Sequence, residues 1–251
     1  MHSDIAFRLI KPHHSLSEFV ESFWLLENRS EGDKELVILP DGRIDLTFSK
    51  SATQPFQIIL SGIETKPDKA LLKAKTRMFA VSFKLLSTEY IFGHTISDFV
   101  NSAKQLPPDF WNFSEEDLAD FDLFCSKASQ QLYELLPKDY DNRKKKLFDL
   151  IYETHGTVTV KELSEKVSWS SRQINRYFNH QFGLPLKAYC NILRFRASFH
   201  HIKDGQLYPQ QNFADQSHFI KEIRKLSGVS PKELKLNRND RFIQLSTLLP
   251  D

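Results

Sequence analysis

The spacing of apolar positions divides the chain into a mixed first part and a helical second part. From Ser15 to Glu27 the run SLSEFVESFWLLE carries apolar residues at helical spacing behind two serines. This predicts a short amphipathic helix capped by Ser15 or Ser17. The next run, LVILPDGRIDLTFS, predicts two strands about a tight turn at Pro40, Asp41 and Gly42, because Pro presets one turn angle and Gly accepts a positive one. Ile44, Leu46 and Phe48 then alternate with Asp45, Thr47 and Ser49, the pattern of a half-buried strand. FQIILS (Phe56 to Ser61) and MFAVSFKL (Met78 to Leu85) predict further strands; Ser87 to Phe99 reads as helical or mixed, and Ser114 to Leu136 as helical. A proline and a charge run between Pro137 and Lys146 mark a domain boundary. Beyond it, helical patterns cover Lys145 to Glu153, Val160 to Val167, Ser171 to Phe182, Pro185 to Ile202, Gln216 to Leu226 and a last turn or two near Pro231 to Leu236. The expected fold is an α+β, β-rich N-terminal domain with helices over residues 1–142 and an all-α C-terminal domain over residues 143–251.

A repeat links two of the later helices. At an offset of 45 residues, SSRQINRYFNHQFGLP from Ser170 aligns with DQSHFIKEIRKLSGVS from Asp215. Ser170 meets Asp215, two residue types whose side-chain oxygens accept from first-turn amides. Ile174 meets Phe219 and Phe178 meets Ile223, so each helix buries the same stripe. Gly183 meets Gly228, each placed to end its helix in a left-handed turn. Ahead of the first copy, VKELSEKVSWS supplies a short helix with Leu163 and Val167 inward, then a turn: the helix-turn-helix layout. Outside the buried stripe lie Ser171, Arg172, Asn175, Arg176 and Asn179 in the first copy, and Ser217, Ile220, Lys221 and Arg224 in the second. Arg pairs with guanine edges and Asn with adenine, so these faces are candidate readers of double-stranded DNA.

The overall charge of +2 hides an asymmetry. Residues 143–251 hold 19 basic and 10 acidic side chains, +9, against 15 and 22 in the remainder, −7. A basic second half points to a polyanionic partner for that half alone. Cys125 and Cys190 are the only cysteines, which form neither a disulfide framework nor a metal cluster and fit a reducing cytoplasm. The start MHSDIAFRLI has no basic flank or long apolar stretch, so no signal peptide or membrane span is expected. No phosphate loop, nucleophile elbow or paired-cysteine motif is present, and the adjacent pairs His13-His14 and His200-His201 point apart on regular structure. An enzyme, a metal and a cofactor are therefore not expected. Phe23, Trp24, Phe48, Phe79, Phe83, Tyr90 and Phe92 are expected to be core, with a small-molecule pocket as the alternative.

Lys146 to Leu236 resembles the C-terminal domain of the AraC/XylS family of bacterial transcription regulators. The most specific part is NFADQSHFIKEIRKLSGVSPKEL; LSEKVSWSSRQINRYFNHQFG resembles that family's first helix-turn-helix, and LRFRAS its linker helix. The resemblance implies two helix-turn-helix units joined by a linker helix. Arg172, Asn175 and Arg176 would read bases in the first half-site, Ser217 and Lys221 in the second, with Gln216 and His218 near the backbone or groove edge. Ser164 and Asn212 depart from the family's Ala and Gly, and the stretch from Ala197 to Asn212 is short and carries Pro209 where a helix belongs. The first helix of the second unit is therefore expected to be short, shifted or absent. SEFVESFWLL and ILPDGRIDLTF resemble an N-terminal domain of Bacteroidetes-type members of the family. That implies a cupin-like module for sensing or dimerisation, with a small-molecule effector, a protein partner or a second copy of the chain as its partner. Two alternatives remain: a sensor with only the first unit active on DNA, and a DNA-repair alkyl-transfer enzyme, which would need an activated thiolate.

Overall fold

In the computed structural model, which describes residues 4–208, 213 and 215–248, the alternation of Ile44, Leu46 and Phe48 fixes the register of a central strand. Strands β1 (Ile5–Ile10), β2 (Val20–Asn28), β3 (Lys34–Ile38), β4 (Ile44–Lys50), β5 (Gln57–Ser61), β6 (Asp68–Leu72), β7 (Arg77–Phe83) and β8 (Ala103–Leu106) form two antiparallel sheets. The larger has the order β1-β2-β7-β4-β5-β8; the smaller is β3-β6. Phe48 lies opposite Phe79, and Leu46 opposite Val81. These side chains share the face that packs on α2 (Phe121–Leu135), after the short α1 (Ser87–Tyr90). Phe124 meets both Phe48 and Phe79 edge-on at 5.2 and 5.3 Å between ring centroids, geometry that adds to the gain from burial.

The other face of the large sheet is more polar. Trp24, Asp45 and Ser82 lie on it, and Leu26 packs with Leu36 and Leu72 of the small sheet. Phe23, Phe48, Phe79 and Phe83 are each at most 2% exposed and belong to the core.

The helical part comprises α3 (Asn142–Glu153), α4 (Val160–Val167), α5 (Ser171–Phe182), α6 (Leu186–Ala197), α7 (Phe199–Lys203), α8 (Gln216–Ser227), α9 (Pro231–Leu236) and α10 (Ile243–Ser246). The observed architecture is thus a β-rich N-terminal part followed by a helical C-terminal part.

Three expectations need correction. Ser15 to Glu27 is not a helix: a single 3-10 turn, His14–Leu16, leads into β2. β2 is covered on both faces, so both parities are apolar and the period that marks a strand is lost. The turn at Pro40-Asp41-Gly42 does not join a hairpin, because β3 pairs with β6 and β4 with β5 and β7. The chain instead crosses between sheets, with Gly42 at φ +76° and Asp41 Oδ1 accepting from the Arg43 amide. The helix expected from Pro185 to Ile202 is broken at Ser198 into α6 and α7.

Candidate nucleic-acid interface and its seam with the sheet

Each helix of the interface is set by its own capping residues. At α4 the Thr159 hydroxyl accepts from the Glu162 amide while Glu162 reaches back to the Thr159 amide, a capping box. α4 stops at Ser168, in the left-handed region at φ 55°. Two residues later Ser170 caps α5 through a second box with Gln173. Replacing such a cap by Ala costs roughly 1 kcal/mol. Ile174 and Phe178 are fully buried, and Gly183 ends α5 in the left-handed region at φ +70°. A Cβ on Gly183 would sit 2.6 Å from the Ser97 carbonyl oxygen, so no side chain fits there. α8 repeats the plan. Asp215 accepts from the His218 amide at 2.8 Å, Phe219 and Ile223 are buried, and Gly228 ends the helix at φ +75°.

The polar residues expected on the outer faces differ in exposure. Arg172, Arg176 and Asn179 are exposed; Ser171 and Asn175 are half-buried. Asn175 and Asn179 each donate their side-chain amide to the backbone carbonyl four residues back, at 2.9 Å. Among the described residues neither Arg172 nor Arg176 has an ion-pair partner. In α8, Gln216, Ser217, Lys221 and Arg224 are exposed and His218 is half-buried against Phe213. Gln216 donates to the Leu207 carbonyl at 2.6 Å, which ties it to the preceding loop. Ile220, grouped with the outer face on spacing, is half-buried and packs on the core.

Ahead of α8, where a short, shifted or absent helix is expected, α7 spans five residues and abuts α6 at Ser198. Pro209 and Asn212 lie outside the described residues.

The sequence did not reveal how the helices meet the sheets. The inner side of α5 docks on the segment after β7: Tyr177 donates to Glu89 at 2.7 Å, and Gln181 donates to Thr88 and to the His94 carbonyl at 3.0 and 3.1 Å. Lys144 of α3 completes the Glu89 carboxylate at 2.6 Å. On the other side, Tyr189 of α6 donates to the Gly42 carbonyl at 3.1 Å, and the Leu85 amide donates to Tyr152 of α3 at 3.0 Å.

At the centre of this seam Glu21 of β2 receives three cations: Lys11 at 2.9 Å, Arg43 at 3.2 Å and Arg196 of α6 at 3.4 Å. Burial alone would raise the Glu21 carboxyl, but Arg43, Arg196 and Lys11 outweigh it and hold it well below the usual carboxylate range. Arg43 is 7% exposed at its side chain and lies over the Tyr152 ring at 5.4 Å. Its Nε and Nη1 have no hydrogen-bond partner among the described residues.

Beside this seam Asp45 behaves in the opposite sense. Burial, then the Asp41 carboxylate, push it up to about 7, against hydrogen bonds from Ser82 and Trp24. A carboxyl raised on folding supports stability fully below the unfolded value of about 3.9. That support is lost as pH rises through about 7. Asp45→Asn is therefore expected to raise the thermal midpoint more at pH 8 than at pH 5.5. Equal gains at the two pH values would contradict the assignment.

The two thiols are unsuited to chemistry. Burial first pushes Cys125 up to about 12 and Cys190 up to about 11, so neither is a thiolate at neutral pH. Among the described residues no cluster of three or more His, Cys, Asp or Glu side chains is placed to hold a metal, and no helix is long and apolar enough to cross a membrane.

Residues 8–105 match a family model described as a domain of unknown function, DUF6597. No curated protein matches the chain. Among solved structures the chain is similar to ToxT from Vibrio cholerae: one crystal structure is 13% identical at a TM-score of 0.45, with 94% of this chain and 99% of that one covered. A second, at 1.65 Å resolution, is 13% identical at a TM-score of 0.44, covering 93% and 98%. A third, of ToxT bound to an unsaturated fatty acid, is 12% identical at a TM-score of 0.40, covering 92% and 94%. These likenesses concern the fold alone.

Proposed function

We propose that the chain is a sequence-specific, DNA-binding transcription regulator of the AraC/XylS type, acting in the cytoplasm, with residues 143–251 on the DNA and residues 1–142 as a sensing or dimerisation part. The observation that carries this reading is α5 itself. A doubly capped helix follows a left-handed turn and presents Arg172 and Arg176, free of ion pairs among the described residues, on its outward face. An exposed guanidinium without an ion pair among the described residues is available to a guanine edge or a phosphate. The half-buried Tyr177 and buried Gln181 on the opposite face tie the reading helix to the β-rich part, so an effector or partner of that part has a route to DNA affinity.

Selection of bound sequences from random duplex DNA tests the reading. One recurrent motif is expected, with affinity falling steeply as salt rises through counterion release. Equal recovery of all sequences, or a flat salt response, contradicts it. A second reading, in which only the first unit contacts DNA, is favoured by one observation: the helix ahead of α8 spans only five residues, Phe199–Lys203, against eight in α4 ahead of α5. Footprinting separates the two, since two protected major-groove segments per chain support the double reading and one supports the single.

A further inference from the structure

Residues 237–246 lie outside the family resemblance and carry none of the DNA-reading side chains named above, yet they are tightly built. Asn237 stops α9 in the left-handed region at φ 36°. Its carboxamide then organises the next nine residues: Oδ1 accepts from the Phe242 amide and Nδ2 donates to the Ser246 hydroxyl, both at 2.8 Å. The segment turns back onto the small sheet. The Val37 amide of β3 donates to the Arg241 carbonyl at 2.6 Å, and Val37 and Phe242 form a parallel bridge. Gln244 then spans the main chain of Leu39, accepting from its amide and donating to its carbonyl, both at 2.9 Å. Phe242 and Leu245 are 1% and 3% exposed. A side-chain amide that satisfies both main-chain groups of one residue takes the place of a neighbouring strand.

This anchorage matters because of how α8 is held. In the first unit α5 rests on α4 and, through Tyr177 and Gln181, on the β-rich part. In the second, α8 rests on α6 and α9, and α9 rests on the five-residue α7. The support that α4 gives α5 therefore falls to α9, and so to whatever fixes α9.

We propose that Arg241–Ser246 is a strap that positions α8 by fixing α9 to β3, with Gln244 as its positioning residue. The proposal rests on the reading of α8 as a DNA-contacting helix only for its effect on binding; the mechanical part stands apart from it. The experiment is hydrogen exchange on the full chain without DNA, comparing wild type with Gln244→Ala. Loss of two neutral hydrogen bonds is expected to speed exchange about tenfold at Val37, at Leu39 and along α8, with α5 and α2 unchanged. On a selected duplex the same variant is expected to lose protection of the second half-site and keep the first. Faster exchange confined to Val37 and Leu39, with α8 as in wild type, overturns the proposal: the segment would then only seal a sheet edge. Unchanged exchange at all three places overturns it too. If Gln244→Ala loses protection throughout, Gln244→Glu, which keeps the acceptor for the Leu39 amide, reads the same amides. A chain that protects no duplex at all sinks the DNA-binding reading and leaves the exchange result to decide the strap.

Discussion

Glu21→Gln lowers the thermal midpoint by roughly 10 °C at pH 7. The carboxylate is the shared partner of Lys11, Arg43 and Arg196, and its side chain is 16% exposed. Removing one partner of a buried ion pair costs about 3–5 kcal/mol, because the remaining charge keeps its desolvation cost and loses its attraction. Here two arginines that are themselves close neighbours are left facing each other: Arg43 already opposes the charge on Arg196. For a chain of this size about 1 kcal/mol moves the midpoint by 2–4 °C. The pH dependence carries a definite sign. Glu21 is depressed on folding, so its contribution is complete above the unfolded carboxyl value of about 4.3 and is lost as pH falls toward its folded value. Thermal scans of both proteins across pH check this. A midpoint within about 2 °C of wild type at pH 7 would show that the seam is not held by this cluster.

Arg172→Ala leaves that midpoint nearly unchanged and weakens DNA binding by about 5- to 150-fold, corresponding to 1–3 kcal/mol. Arg172 is exposed and unpaired among the described residues, and substitutions at such positions usually stay within about 0.5 kcal/mol in stability. If it forks onto a guanine, the loss is accompanied by relaxed preference at one base position. If it only meets phosphate, binding weakens on all sequences alike and the salt slope becomes shallower by about one unit. Titration of the selected duplex and of single-base variants, at two salt concentrations, separates these outcomes. Binding to every duplex unaltered by Arg172→Ala removes the residue from the interface.

The contrast between these two substitutions reflects what the chain reveals in one dimension. Capped helices are legible because their determinants are local. Ser170 and Gln173, Asp215, Gly183 and Gly228 all sit within a turn of the ends they control, and each does in the structure what its chemistry suggests. The buried stripes at Ile174, Phe178, Phe219 and Ile223 are readable for the same reason. β2 was not legible as a strand, since covering both faces erased its alternation. The hairpin expected about Gly42 failed because register depends on which strand arrives alongside, and β6 lies 30 residues further on from β3. The seam was least visible of all. Glu21 and Arg196 are far apart along the chain, and nothing local distinguishes a lysine or arginine that will be buried from one that will face water. In retrospect the polar residues Tyr189 and Arg196 on α6 were the available hint.

Besides its buried stripe at Ile174 and Phe178, α5 is tied to the β-rich part through Tyr177 and Gln181 in its second half, while Arg172 stands out at its start. Gln181 is pinned to the β-rich part, while Arg172 stands nine residues earlier on the same rigid rod, about 14 Å away at the helical rise. A tilt of only about 10° at the pinned end swings the guanidinium by roughly 2.4 Å, from hydrogen-bond distance to beyond it. Should Arg172 meet DNA as proposed, a tilt of the helical part about Thr88 and Glu89 would shift that contact by this amount with α5 itself unchanged.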